Sequence, residues 1–196
     1  MKIKILIPVY NDFESVSKLL VDINSTVLNN DKEFSVIIIN DSSTDKVEIN
    51  HSNTENIKSI KIINMKENKG HARCNAAGLK YIFENEEFDY IIPMDGDGED
   101  RPEEIKKFIE FLKYDNSKPI VGERIKRSEG ILFKSFYNIH KLITFMFTGQ
   151  SIKFGNYTCL PKLTVEKMIN EKATWSSFSG SLAKVEKNRS TIPSIR

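Results

Sequence analysis

The 196-residue chain lacks most of the features that announce a common site chemistry. It has two cysteines, Cys74 and Cys159, far apart and without CxxC or Cys/His spacing, which excludes a disulfide framework and a zinc site and fits a reducing, cytosolic setting. It has no run of about 18 uncharged apolar residues, so nothing in it reads as a membrane span. Lys2 and Lys4 lead directly into "ILIPVY", too short for a signal-peptide core and without a small-residue cleavage site after it. An excess of one charge is also missing: 29 basic and 27 acidic residues leave a net charge of +2, which gives no global electrostatic case for nucleic acid. Finally, no GxGxxG follows the first apolar run and no GxxxxGK[ST] occurs anywhere. The usual glycine-rich cradles for phosphate are therefore absent, and any phosphate must be held another way.

What is present is a core-forming chain with 39% hydrophobic residues, enough for one domain. Strand-length apolar runs alternate with stretches of helical periodicity, the signature of an α/β fold with a parallel sheet flanked by helices. The expected strands are 2–10, 34–41, 57–65, 89–95 and 119–124, most of them nearly continuous in Ile and Val, as strands buried on both faces should be. Helices are expected over 12–28 and 70–84, and a third from Pro102, with Glu103 and Glu104 in its first turn and Ile105, Phe108, Ile109 and Leu112 as its apolar face. A later helix carries Val165 and Met168, and residues 42–56 are the most loop-like stretch.

In such folds ligands bind where loops leave the carboxyl ends of the strands. Three expected strands end in polar punctuation, "PVYND" at 8–12, "INDSSTD" at 39–45 and "MDGDGED" at 94–100, and these ends should converge. The last is the sharpest local feature, with Asp95, Asp97, Glu99, Asp100 and Glu103 crowded beyond an apolar strand. Asp95 and Asp97 flank Gly96, a short turn able to aim both carboxylates at one point, as hard cations such as Mg²⁺ and Mn²⁺ require when they bridge carboxylates to phosphates. The same residues are also what a turn capped by its own Asp side chains looks like. Likewise Asn40-Asp41 offers either an acceptor for a nucleobase or ribose, or an Asx turn.

The motifs "IPVYND" at 7–12, "INDSSTD" at 39–45, "ENKGHARCNAAGLKY" at 67–81, "MDGDGEDRPEEI" at 94–105 and "GERIKR" at 122–127 stand in the order and spacing of family 2 glycosyltransferases. The chain looks most like the branch that resembles dolichol-phosphate mannose synthase and bacterial polyprenyl-phosphate glycosyltransferases. The resemblance runs from residue 3 to about 170 and implies a GT-A nucleotide-diphosphosugar fold. It implies a single catalytic domain over 1–196, with a nucleotide-sugar half to about 100 and an acceptor half beyond. Pro8, Tyr10 and Asn11 would line the nucleotide pocket with Asp12, where Glu is more usual, and Asp41 would contact the base. Asn68, Gly70 and Arg73 would lie near the sugar nucleotide. Asp95 and Asp97, joined by Glu99 where the branch often has Gln, would hold Mg²⁺ or Mn²⁺. Asn40 and Ser42 depart from the usual Asp-Asp-Gly-Ser.

The acceptor divides two readings. A sugar hydroxyl needs a general base, for which Asp100 is the candidate, whereas a lipid phosphate is already anionic and needs positive groups to position it. Arg124 and Arg127 match basic positions that face phosphate in the polyprenyl-phosphate branch, and arginine suits phosphate oxygens; with Lys126 they also form an ordinary basic surface stretch. No later Glu-Asp pair or Gln-x-x-Arg-Trp motif follows residue 130, and the sole Trp lies in "ATWSSFSGS", which favours polyprenyl phosphate over a glycan. Residues 130–149, "GILFKSFYNIHKLITFMFTG", suit either a core helix or a helix lying at the inner face of the cell membrane. Resemblance leads one to expect a segment after "STIPSIR", and hence a domain whose acceptor side or membrane anchor is short, absent or cut away. Two rivals stay open: a nucleotidyltransferase, which usually has the glycine-rich loop missing here, and a non-catalytic sugar-nucleotide-binding domain.

Overall fold

The computed structural model describes residues 1–28, 30–49, 52–124 and 154–194, with Arg124 described by its backbone alone. Its strands are β1 (Lys2–Val9), β2 (Glu33–Asn40), β3 (Ser59–Asn64), β4 (Tyr90–Pro93), β5 (Ile120–Arg124), β6 (Phe154–Pro161) and β7 (Ser190–Ser194). Its helices are α1 (Phe13–Val27), α2 (His71–Asn85), α3 (Ile105–Phe111), α4 (Lys162–Ile169) and α5 (Phe178–Val185), with 3₁₀ turns at Pro102–Glu104 and Lys172–Trp175. The strands form one sheet in the order β3-β2-β1-β4-β6-β5-β7.

β1 pairs in parallel with β2 and with β4, and β2 in parallel with β3. The run outward from β1 through β2 to β3 therefore reverses at β4, on the other side of β1. In open α/β sheets ligands bind at the strands' carboxyl ends beside such a reversal, here where the loops after β1 and β4 leave the sheet. The mostly parallel α/β expectation holds, with two additions. β6 inserts antiparallel between β4 and β5, and β7 pairs in parallel with β5.

Alternation along the strands builds two cores. Ile3, Ile5, Ile7 and Val9 of β1 and Phe34, Val36 and Ile38 of β2 pack with Val16, Leu20 and Ile23 of α1 and Phe108 of α3. Leu6, Ile37 and Ile39 face the other way, onto Cys74, Leu79 and Ile82 of α2, Val165 of α4 and Leu182 of α5. The sheet is thus covered on both faces, which accounts for the unbroken apolar runs.

Helix starts follow local chemistry. Asp12 caps α1, its carboxylate accepting from the Ser15 N–H at 3.3 Å, and the Ser177 hydroxyl caps α5, accepting from the Gly180 N–H at 3.1 Å. Gly70 precedes α2 at φ +83°, a left-handed conformation that glycine adopts without steric cost.

Candidate active site

The expected convergence of strand ends is observed, and hydrogen bonds knit the loops together in sequence. The Asn11 N–H donates to Ser43 Oγ at 2.9 Å and its side-chain amide to Thr44 Oγ1 at 3.0 Å, while Asn11 Oδ1 accepts from the Thr44 N–H at 2.8 Å. These bonds join the loop after β1 to the loop after β2. Asp41 joins the second loop to the third, accepting the Lys69 N–H on Oδ1 at 2.8 Å and the Gly70 N–H on Oδ2 at 2.7 Å. His71 joins the third to the fourth, its Nε2 lying 3.0 Å from Asp95 Oδ1. Asn156 of β6 closes on the same oxygen, its amide donating at 3.3 Å.

The acidic turn sits directly on the first strand. A Cβ at Gly96 would lie 3.2 Å from the Pro8 carbonyl oxygen and 3.2 Å from Val16 Cγ2, so only glycine fits there without displacing its neighbours. That close approach explains the glycine between the two aspartates. The Asp95 N–H donates to Asp100 Oδ2 at 2.8 Å, and the Glu99 N–H to Asp97 Oδ1 at 2.9 Å. The turn is therefore capped by its own carboxylates, while Asp97 and Glu99 stand exposed and Asp95 is half-buried. Turn chemistry and a ligand-facing surface coexist in one segment.

Tyr157 anchors the far end of the turn. Its hydroxyl donates to the Arg101 carbonyl at 2.8 Å, and its ring meets Phe108 edge-on at 5.1 Å. Burial raises the Tyr157 phenol well above its ordinary range, and the negative field of Asp100 and Glu104 raises it further. Tyr157 therefore stays a neutral donor. Cys74 lies under Asp41. Burial pushes its thiol up to about 12, and its hydrogen bond to Asp41 adds to the rise, so it too remains protonated and donates.

The expected site residues fall into three groups. Tyr10, Asn11, Asn68, Gly70, Asp95, Asp97 and Glu99 lie along the loops at the carboxyl edge and Arg73 in the first turn of α2, all at least partly exposed, with Tyr10 49% exposed. Pro8, Asp12, Asp41 and Asp100 have evident framework duties. Pro8 is buried beneath Gly96, and Asp12 caps α1. Asp41, expected to contact a base, is buried, and both its oxygens hold the Lys69-Gly70 backbone. Asp100, expected as a base for a hydroxyl acceptor, is fully buried against the Asp95 N–H. In the third group, the side chain of Arg124, all of Arg127 and the stretch 130–149 lie outside the described residues.

Sequence reasoning missed His71, Asn156 and Tyr157 as parts of this site. His71 had a signal, standing immediately after Asn-x-Gly. Asn156 and Tyr157 had none beyond lying in a polar segment, since their place depends on β6 entering the sheet beside β4.

The donor set fits a hard divalent cation. It is rich in carboxylate oxygen at Asp95, Asp97 and Glu99, and partly to fully exposed. Among the described residues no three acidic, histidine or cysteine side chains close into a cage. Mg²⁺-like ions ordinarily take one or two carboxylates and complete their shell with substrate phosphates and water, and the turn offers Asp95 and Asp97 on either side of Gly96. Among the same residues, no helix is long and apolar enough to cross a membrane.

Comparison with known proteins agrees with this architecture. An undecaprenyl-phosphate 4-deoxy-4-formamido-L-arabinose transferase of Salmonella choleraesuis (strain SC-B67) is 28% identical over 163 residues, covering 81% of this chain and 47% of the relative. The chain thus spans about half the length of that protein. Among solved structures, Staphylococcus aureus TarS 1–349 in complex with UDP-GlcNAc superposes with a TM-score of 0.66 at 15% identity, over 100% of this chain and 59% of that one. The mannosyltransferase PcManGT of Pyrobaculum calidifontis, in complex with GDP-Man and Mn²⁺, superposes with a TM-score of 0.62 at 14% identity, over 99% and 56%. At such identities the likeness speaks for the fold alone. The model of the family described as "Glycosyl transferase family 2" matches residues 4–170, and the chain, with its GT-A type fold, belongs to that family.

Proposed function

We propose that the chain is the catalytic domain of a metal-dependent, inverting glycosyltransferase that moves a sugar from a nucleotide diphosphosugar to a polyprenyl phosphate. One observation carries this reading: four strand-end loops and β6 are linked in a chain of hydrogen bonds that ends on the half-buried carboxylate of Asp95, at the carboxyl ends of β1 and β4. A structural turn alone does not require two distant segments, the start of α2 and β6, to be tied to its first carboxylate. The ligands named for the solved neighbours, UDP-GlcNAc and GDP-Man with Mn²⁺, support a nucleotide-sugar donor. The name of the curated relative supports a polyprenyl-phosphate acceptor.

In this reading Asp95 and Asp97, with Glu99, hold Mg²⁺ or Mn²⁺, and the cation supplies positive charge where the diphosphate leaving group becomes more negative. Tyr10 offers an exposed aromatic face at the end of β1 for the base. Asp41 serves the nucleotide through the backbone it holds, keeping Asn68, Gly70 and Arg73 at the mouth. Arg124 and Arg127 position the acceptor phosphate, and residues 130–149 bring the domain to the inner face of the membrane. Asp100 acts as the support of Asp95 and not as a base, because proton abstraction needs reach to the acceptor and its carboxylate is buried. That favours an acceptor that is already anionic over a sugar hydroxyl.

Calorimetric titration with UDP and with GDP, each with and without Mn²⁺, tests the donor half. Metal-dependent binding of one nucleotide is expected, and no binding of either overturns the reading. Asp97→Ala is expected to lower sugar transfer to a polyprenyl phosphate by at least about 100-fold, on the scale of lost transition-state electrostatics. Unchanged transfer would remove Asp97 from the site.

A further inference from the structure

We infer that His71 is the positioning residue for Asp95, aiming its carboxylate into the donor site, with Asn75 and Asn156 completing the support. The inference rests on the metal-dependent reading above and assigns it a residue outside the acidic turn.

Asp95 begins where β4 gives out. Its backbone is held by Asp100 through the N–H, but that bond leaves the side-chain torsions unset. Its carboxylate is met from elsewhere in the fold, by the His71 imidazole, from the first turn of α2, at 3.0 Å, and by the Asn156 amide, from β6, at 3.3 Å, both on Oδ1. An ionised carboxylate only accepts hydrogen bonds, so His71 serves it with a protonated Nε2. The two donors converge on one oxygen and so fix the plane of the carboxylate.

The imidazole is itself supported from below. Asn75, one turn on and 1% exposed, meets Nε2 at 3.4 Å, and its Oδ1 is buried without a hydrogen-bond partner. The amide nitrogen of Asn75 thus borders the ring nitrogen that meets Asp95. Gly70, at φ +83° and held by Asp41, sets where α2 begins and hence where His71 stands. A chain of contacts thus runs from Asp41 through Gly70 and His71 to Asp95. Groups that hydrogen-bond a metal-binding carboxylate typically affect metal affinity 10- to 100-fold.

The test is calorimetric titration of UDP and GDP, with and without Mn²⁺, on the wild type, His71→Ala and His71→Gln. The expected result is a loss of about 10- to 100-fold in metal-dependent affinity in H71A, with metal-independent nucleotide binding unchanged and most of the loss restored in H71Q, whose amide can donate to Asp95. A structural role alone would weaken both variants alike and would weaken nucleotide binding with or without metal. H71A binding as tightly as wild type, or H71Q as weak as H71A, overturns the inference while leaving the donor site intact. Absence of metal-dependent binding in the wild type overturns the metal reading and this inference with it.

Discussion

At the scale of single residues, two departures from simple rules carry measurable consequences. Lys4 points from the middle of β1 into a buried position, 2.9 Å from Glu86, which also binds the half-exposed Lys61 at 2.6 Å. Burial alone would raise the Glu86 carboxyl, and the hydrogen bonds from Lys61 and Lys4 outweigh it and hold the pKa below the ordinary carboxylate value. Stability from this group is therefore fully present above the unfolded pKa of about 4.3 and is lost as pH falls through the lower folded value. Glu86→Ala leaves Lys4 buried and uncompensated and is expected to cost about 3 kcal/mol, read as a drop in the urea midpoint at pH 7. Ser42 is the second case. It stands at φ +59°, a left-handed backbone that glycine adopts more readily than serine. Ser42→Gly is expected to be neutral or stabilising by up to about 1 kcal/mol, and Ser42→Val destabilising by roughly 1–2 kcal/mol; thermal melts of the pair check the sign. The aspartates of the acidic turn were legible in the sequence because carboxylates after an apolar strand are conspicuous. The partners of Asp95 were not, because His71 and Asn156 lie 24 and 61 positions away from it and meet it only through the fold.

At the scale of elements, legibility followed periodicity. β1, β2 and β4 were visible as apolar runs, and α1, α2 and α3 as apolar faces, because each buries a regular pattern against the sheet. β6 and β7 were not. "FGNYTCLP" and "STIPS" mix Gly, Asn, Ser and Pro, residues with weak strand preference. They become strands because neighbouring β4 and β5 offer ladder partners, so tertiary context decides. α2 shows the opposite case, a helix whose one glycine has a packing cause. A Cβ on Gly78 would come 2.3 Å from Leu6 Cδ1 and 3.0 Å from Ile39 Cγ1, and both neighbours are fully buried. Gly78→Ala should therefore destabilise, by up to about 2 kcal/mol, since the 2.3 Å approach to Leu6 calls for overpacking toward the upper end of about 1–3 kcal/mol, against a helix-propensity gain of about 1 kcal/mol. A denaturant titration showing a more stable variant would mean that α2 can move off the sheet freely, against the packing described.

At the scale of the whole molecule, the sheet sets a gradient of protection. β1 is central, paired along its length with β2 and for half of it with β4, while β3 and β7 have one described neighbour each and are half-exposed. Native-state hydrogen exchange is expected to be slowest for amides of β1 and β2 and to approach the global unfolding free energy there, with β3 and β7 exchanging through smaller openings. Uniform protection across all seven strands would instead mark one indivisible unit. The outer strand β7 has a further feature. Pro193 faces Glu123 in the ladder and has no N–H to offer any newcomer, and its carbonyl already accepts from Lys107 Nζ at 3.2 Å. An incoming strand, whether from a misfolded copy or a growing fibril, therefore finds no donor at Pro193 and a carbonyl already engaged by Lys107. The residue that hid β7 from view in the sequence is thus also a guard against edge-to-edge aggregation.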